Sequence, residues 1–241
     1  MRPAVTVLQL DTIFPRVPGD VGCPESYAAE VEIIRIPRAT VARIVTDRPE
    51  AIDIAPFETA VRRARGEVIV TSCGFLAFWQ DHLAALTDRP FIASSLGALD
   101  HLDARHAPGE IMVLTFDASR LSAAHFGRHA AHAAHVVGLE DGMHLRDVIR
   151  GNAPRLDTGV AARQIVDLVA RHWTERHRAL LLECTNLPPY RTALTRLTNA
   201  PVTDILTEIE RRRPGTIAPE FAARPFEPAP CLDRGKGSGG E

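Results

Sequence analysis

The sequence lacks the features that define several large protein classes. Its 241 residues carry a formal net charge of −2, without the basic excess that nucleic-acid surfaces need. No apolar run approaches the length of a membrane span, and residues 1–10 do not have the pattern of a secretory leader. The four cysteines show no CxxC spacing. We therefore expect a cytoplasmic protein with reduced thiols and no nucleic-acid or membrane partner.

Signatures of cofactor and metal sites are absent as well. No GxGxxG pattern follows a predicted strand. Four histidines fall between positions 125 and 135. The first three would lie at i, i+4 and i+7 only if one helix continued past Gly127, and no cysteine or carboxylate completes a ligand set. We interpret them as a solvated helix face; they are His125, His129, His132 and His135. The sequence thus predicts neither a cofactor nor a metal.

What the chain does contain is a regular alternation of short apolar runs and helical patterns. Such alternation predicts βαβ units and an α/β fold with mostly parallel sheets. The predicted strands are 4–10, 31–36, 68–71, 91–95, 111–116, 134–138, 179–182 and a last one beginning at 201. The predicted helices include one within 49–66, one beginning at a Ser119 cap, one over 156–178, one through 191–197 and one over 205–213.

Two of the predicted strands lead to a cysteine at matching points. The strand at 68–71 is followed by Cys73, and the strand at 179–182 is followed by Cys184. With Thr185 or Asn186 as a helix cap, Cys184 is expected beside a helix N-terminus, where the dipole lowers a thiol's pKa. Two matching halves that each offer one thiol predict a site in a cleft between pseudo-symmetric domains.

The segments around these cysteines carry a family resemblance. The chain resembles the aspartate/glutamate racemase superfamily, which includes hydantoin racemases, maleate isomerases and arylmalonate decarboxylases. The amino-acid racemases follow their first cysteine with Asn-Thr, whereas this chain has Gly74-Phe75. The segments that carry the resemblance are Thr71-Ser-Cys-Gly-Phe-Leu-Ala, Glu183-Cys-Thr-Asn-Leu-Pro-Pro-Tyr, Asp11-Thr-Ile-Phe-Pro-Arg-Val-Pro-Gly-Asp and Pro201-Val-Thr-Asp-Ile.

The resemblance implies two pseudo-symmetric Rossmann-like domains with the active site between them. The first domain would comprise residues 1–96 plus 202–226 and hold Cys73. The second would comprise residues 97–201 and hold Cys184. Residues 227–241, which are rich in glycine and include Cys231, are expected to form a disordered tail.

Acid–base work at the α-carbon of a carboxylate needs more than two thiols. Typical enzymes lower such barriers by at least ~8 kcal/mol, and donors aimed at the developing oxyanion supply ~3 kcal/mol each. Short polar residues beside the cysteines or at strand ends are candidate substrate-binding groups. They are Asp11, Ser72, Gly74, Ser94, Thr115, Thr185 and Asn186. Glu183 is interpreted as supporting the local fold, because an acid near a thiolate raises its pKa.

These observations lead to one functional hypothesis and several alternatives. We expect a cofactor-independent racemase or isomerase of a small carboxylate, an amino acid or its derivative, in which Cys73 and Cys184 abstract and donate the proton. The alternatives are a decarboxylase or a maleate-type cis–trans isomerase on the same scaffold, and a non-catalytic carboxylate-binding protein. A homo-oligomer is a further possibility.

Overall fold

The computed structural model describes residues 2–222 and shows two four-stranded parallel sheets. The first has the order β2-β1-β3-β4 and the second β6-β5-β7-β8, so the two halves repeat one topology. This confirms the α/β fold with pseudo-symmetric halves. The predicted tail lies outside the described residues. The strands are β1 (Val5–Leu10), β2 (Val31–Ile36), β3 (Val68–Thr71), β4 (Phe91–Ile92), β5 (Ile111–Thr115), β6 (Val136–Gly138), β7 (Ala179–Leu182) and β8 (Val202–Thr203).

The central strands are apolar along their whole length because both of their faces are covered. Every residue of β3, β5 and β7 is buried. In β1, Val5 and Val7 pack on one side of the sheet, whereas Leu8 and Leu10 belong to the core on the other side. Continuous apolar runs of this kind are typical of strands in parallel sheets.

Nine α-helices connect and cover the strands within residues 2–222. The longest, α7, begins where the Asp157 side chain accepts a hydrogen bond from the backbone N–H of Val160 at 2.9 Å. The helices are α1 (Val41–Ile44), α2 (Ala55–Arg63), α3 (Gln80–Ala84), α4 (Leu99–Leu102), α5 (Ala123–Phe126), α6 (His144–Arg150), α7 (Thr158–His172), α8 (Arg191–Thr198) and α9 (Ile205–Arg212).

Several predicted helix ends differ from the structure. The hydroxyl of Ser119 binds Asp117 instead of capping a helix, and α5 begins only after Ser122. The segment 156–178 is helical only as far as His172, because Trp173 adopts an extended conformation. After Cys184 the chain forms one 3-10 turn, Pro188–Tyr190, before α8 begins.

The last strand belongs to the second half, whereas the last helix packs on the first half. The sequence placed both in the first domain, but β8 pairs with β7 in the second sheet. Helix α9 packs its buried Ile205, Leu206 and Ile209 against the first sheet. The carboxylate of Asp204, which joins the two elements, accepts a hydrogen bond from Arg191 Nη2 at 2.6 Å. The domain boundaries themselves remain a prediction.

The histidine-rich segment is not a solvated helix face. Helix α5 ends at Phe126, and Gly127 follows it with a positive φ of 53°. His125 and His132 are buried, at 3% and 0% exposure. His129 and His132 form hydrogen bonds of 2.7 Å with the two carboxylate oxygens of Asp103. Over residues 2–222, no helix is long and apolar enough to cross a membrane.

Candidate active site

The two cysteines occupy corresponding positions of the two sheets. Cys73 follows β3 and Cys184 follows β7, each the third strand of its half. Both thiols therefore lie at the carboxyl edges of parallel strands, where ligands bind in such folds. The hydroxyl of Thr185 donates a hydrogen bond to the carbonyl oxygen of Ser72 at 2.7 Å. The loops that carry the two thiols are thus joined directly.

Both thiols line one small cavity of about 30 Å³. Four other predicted residues line it too, namely Ser72, Gly74, Thr185 and Asn186. Most of the remaining wall is apolar, so charges placed inside it are weakly screened. The apolar lining residues are Leu10, Phe14, Val41, Val45, Phe75, Phe116 and Ile149.

Burial determines the protonation of the two thiols. Burial, and after it the Glu183 carboxyl, raises the pKa of Cys73 to about 12. The same two causes raise the pKa of Cys184 well above its ordinary value. The backbone N–H of Phe75 and the guanidinium of Arg16 oppose the rise in the pKa of Cys73. The expected lowering of the Cys184 pKa by a helix dipole is therefore wrong, because desolvation dominates.

Glu183 is a fully buried acid in the wall of the cavity. Its Oε2 accepts a hydrogen bond from the Thr115 hydroxyl at 2.6 Å. Its Oε1 has no hydrogen-bond partner among residues 2–222. Burial raises the pKa of Glu183 to about 7, and the Thr115 hydrogen bond opposes that rise. At neutral pH a large share of Glu183 is therefore an uncharged carboxylic acid.

Arg16 brings a cation to the cavity from the long loop 11–24. Its Nη1 lies 3.2 Å from Asp20 Oδ1, its Nη2 donates to the Thr12 hydroxyl at 3.3 Å, and its guanidinium lies over the Phe14 ring at 4.4 Å. Its Nε is buried and has no partner within the described part of the chain. Arg16 lines the cavity, and its Nε–H is a donor that the described part of the protein does not use.

Two asparagines from the second half fasten the loop 11–24 over the cavity. Asn152 Oδ1 accepts hydrogen bonds from the backbone N–H groups of Ile13 and Phe14, at 2.7 and 3.3 Å. Asn186 Nδ2 donates to Asp20 Oδ2 at 2.5 Å. The loop therefore leaves the first sheet and is anchored on the second half.

Three predicted substrate-binding residues are not part of the cavity lining. Asp11 is at the surface, where its Oδ1 lies 3.2 Å from Arg35 Nε. Ser94 caps the short 3-10 helix that follows it. Thr115 binds Glu183 and so supports the wall of the cavity from behind. The structure thus assembles the predicted residues that flank the cysteines and leaves those at other strand ends outside.

Some cavity residues were not predicted from the sequence. Arg16 and Phe14 lie in a segment quoted for the family resemblance, yet only Asp11 was selected from it. Glu183 was assigned a supporting role. The available signal for Glu183 was a charged residue directly after an apolar strand, next to a cysteine. The rings of Phe75 and Phe116 also line the cavity, but a phenylalanine after a buried strand is usually core.

Comparison with known proteins identifies curated proteins of similar sequence. The chain matches no protein family model. It is 32% identical over 226 residues to dimethylsulfoniopropionate lyase 5 of Emiliania huxleyi (strain CCMP1516). This alignment covers 86% of this chain and 44% of that protein. It is 28% identical over 218 residues to the dimethylsulfoniopropionate lyase of Durusdinium sp. clade D, with 85% and 72% covered. The chain therefore spans only part of each relative.

Solved structures share the architecture at low sequence identity. Allantoin racemase from Klebsiella pneumoniae has a TM-score of 0.54 at 19% identity, with 86% of each chain covered. Allantoin racemase from Pseudomonas fluorescens has a TM-score of 0.55 at 13% identity, and unliganded arylmalonate decarboxylase 0.51 at 16% identity. Each of these two alignments covers 92% of this chain and 98% of the matched chain. The chain therefore shares the α/β fold of these racemases and of arylmalonate decarboxylase.

Proposed function

We propose that this protein is a cofactor-independent lyase that removes the α-proton of a small carboxylate and expels a sulfonium group from the β-carbon. The observation that carries the proposal is that one cavity holds both thiols, an arginine and three phenylalanine rings. The relatives named dimethylsulfoniopropionate lyase support this choice of leaving group, because their similarity extends over 85% to 86% of the chain.

The carboxylate end of such a substrate has partners in the cavity. Arg16 presents its unused Nε–H, and guanidinium groups suit carboxylates in charge and geometry. Donors that face the carboxylate favour loss of the α-proton, because negative charge moves onto its oxygens in the transition state.

The sulfonium end fits the aromatic part of the wall. Phe14, Phe75 and Phe116 line the cavity together with aliphatic side chains. Aromatic faces attract methylated onium cations, which carry their charge on an apolar surface. A sulfonium with two methyl groups has this character. The wall thus favours a methylated cation over a hydrated ammonium.

The reaction is an elimination whose electrons balance without a cofactor. The Cys73 Sγ thiolate accepts the α-proton, and the C–H electron pair becomes the Cα=Cβ double bond. The Cβ–S bond breaks with its electrons on sulfur, which releases a neutral sulfide and an α,β-unsaturated carboxylate. The Cys73 thiol then returns its proton to solvent. We assign Cys73 as the base because Arg16 and the Phe75 N–H favour its thiolate.

A cationic substrate would also raise the fraction of Cys73 that is ionised. Ionising a thiol with a pKa of about 12 at pH 7 costs about 7 kcal/mol. A sulfonium cation inside a weakly screened cavity lowers that pKa, because an opposite charge favours the thiolate. The substrate therefore assists in forming the base that attacks it. A plain carboxylate would instead raise the pKa of the same thiol.

The second candidate is the racemase or isomerase that the sequence indicates. The observation in its favour is that each half contributes one thiol to the same cavity. In that reaction one thiolate removes the α-proton and the opposite thiol delivers a proton to the other face. Both cysteines are then essential, whereas elimination needs only one base. A decarboxylase, or a binding protein with inert cysteines, would use the same cavity.

The test is proton NMR of the protein in deuterated water with separate substrates. With dimethylsulfoniopropionate, the proposal predicts acrylate and dimethyl sulfide in equal amounts. With amino acids, hydantoins and hydroxy acids, it predicts no α-deuterium incorporation. Exchange in one of these compounds without elimination would establish the second candidate instead. A folded protein that neither eliminates nor exchanges would contradict both.

A further inference from the structure

Glu183 is a buried acid in the lining of the cavity, and it forms no ion pair with a described residue. It is fully buried at the end of β7 and lines the same cavity as both cysteines. Its Oε2 is engaged by the Thr115 hydroxyl at 2.6 Å, while Oε1 has no partner in the described chain. A buried polar atom without a partner costs free energy, so its retention needs an explanation.

Position 74 is shaped around this carboxyl group. A Cβ atom added to Gly74 would collide with Glu183 Oε1 and with the Glu183 backbone carbonyl oxygen. Only glycine at position 74 leaves room for Oε1 where it stands. Gly74 is also where the chain departs from the Asn-Thr that follows the first cysteine in amino-acid racemases. The glycine and the buried acid therefore form one feature of this site.

The surroundings of Glu183 favour its uncharged form. The titratable groups around it are the Cys73 and Cys184 thiols, and both are neutral when protonated. The charged groups of the facing loop are Asp11, which pairs with Arg35 at the surface, and Arg16 and Asp20, which pair with each other at 3.2 Å. An ionised carboxylate buried without a cation is costly. Because Oε2 is already a hydrogen-bond acceptor, the proton of the neutral acid belongs on Oε1.

We propose that the Glu183 carboxylic acid is a ligand-binding group that donates a hydrogen bond from Oε1 to a carboxylate oxygen of the ligand. This rests on the proposed function only in taking a small carboxylate as the ligand. A neutral acid that serves as an oxyanion donor is an established catalytic device. Once Glu183 ionises, two carboxylates face each other in the cavity. Affinity for the ligand must then fall as pH rises through the pKa of Glu183.

A different role for the same residue would show the opposite pH dependence. If ionised Glu183 were the counter-ion of a sulfonium group, binding of a cation would strengthen with rising pH. Trimethylsulfonium and propionate therefore serve as two unreactive probes, one for each end of the proposed substrate. Neither probe can undergo the elimination, so binding is measured without turnover.

The experiment is calorimetric titration of the full chain with each probe at about pH 6 and about pH 8.5. For the wild type, propionate affinity should fall about 30-fold over this range, following the protonated fraction of Glu183. In Glu183→Gln the dependence should disappear, because the amide N–H donates at both pH values. Glu67→Gln is the matched control: it removes a surface carboxylate paired with Arg213 and should behave like the wild type.

Each other outcome has a defined meaning. A wild-type pH dependence that persists in Glu183→Gln overturns the donor role while leaving the proposed lyase intact. Trimethylsulfonium binding that strengthens with pH and is lost in Glu183→Gln overturns it in favour of the counter-ion role. Failure of the wild type to bind propionate at either pH overturns both this role and the carboxylate half of the proposed function.

A second measurement covers the case in which Glu183→Gln does not fold. Infrared difference spectra of the wild type with carboxyl-labelled propionate should show a protonated carboxylic acid band that shifts on binding at about pH 6. The shift should be absent at about pH 8.5. A band that is unaffected by propionate at the lower pH would overturn the proposal.

Discussion

At the residue scale, burial decides the chemistry of the three ionisable groups that meet at the cavity. Cys73, Cys184 and Glu183 all have raised pKa values, and burial is the first cause for each. The sequence predicted the positions of both thiols, because a polar run directly after an apolar strand places them at the edge of a sheet. It could not predict their protonation, which depends on how tightly the other half packs over them.

The raised pKa of Glu183 predicts how stability changes with pH. Between its usual 4.5 and about 7, the folded state binds more protons than the unfolded state, so stability is lost as pH rises. The difference corresponds to about 3 kcal/mol. Replacing Glu183 with glutamine should remove this loss. Chemical denaturation at pH values between about 5 and 8 measures it as the difference between wild type and variant.

The control for this prediction is a carboxylate whose pKa moves the other way. The Arg213 guanidinium lowers the pKa of Glu67, so its stabilisation is lost only at acidic pH. Glu67→Gln should therefore leave the slope between about pH 5 and 8 unchanged. An equal slope in the wild type and Glu183→Gln would show that Glu183 is not buried as a neutral acid.

At the element scale, the sequence predicted strands better than helices. Strands buried on both faces, such as β3 and β7, are visible in the sequence as continuous apolar runs. The shorter helices depend on tertiary contacts. In α5, His125 turns back to accept a hydrogen bond from the Ser122 backbone N–H at 3.1 Å, which no periodicity indicates. Helix α6 was not predicted, although Leu145, Val148 and Ile149 pack into the core.

The anchoring of the loop 11–24 on the second half could not be predicted from the sequence. Asn152 holds Ile13 and Phe14 from a point almost 140 positions further along the chain. Asn152 itself has a left-handed backbone conformation, with φ of 48°. Contacts between such distant residues follow from the packing of the two halves. The sequence shows only an asparagine after Gly151, in a segment without a predicted element.

Loosening this anchor should expose the loop without unfolding the protein. Asn152→Gly keeps the left-handed backbone and removes the acceptor of two N–H groups, a loss of about 1 to 3 kcal/mol locally. Tryptic cleavage after Arg16 should become about tenfold faster. Limited proteolysis followed by mass spectrometry measures the rate at that bond.

The matched control is the other left-handed asparagine near a helix end. Asn199 has φ of 47° at the end of α8, away from the loop. Asn199→Gly should leave cleavage after Arg16 unchanged. If Asn152→Gly and Asn199→Gly are cleaved at the same rate as the wild type, Asn152 does not hold the loop closed.

At the scale of the whole molecule, the cleft between two similar halves is the feature that the sequence predicted best. The repeated strand order brings Cys73 and Cys184 to one cavity, as two matching strand ends implied. The cavity, at about 30 Å³, has space for only a few atoms. A substrate with several heavy atoms needs more room than this, so we expect loop 11–24 to lift when it binds. Lid motions of this kind commonly accompany catalysis.

The central claim is that a Cys73 thiolate removes the α-proton and that elimination follows. The most direct test is acrylate release from dimethylsulfoniopropionate by the wild type, Cys73→Ser and Cys184→Ser under the same conditions. The account predicts that Cys73→Ser loses at least about 100-fold in rate, whereas Cys184→Ser loses less than about tenfold. Wild-type release by Cys73→Ser would contradict it.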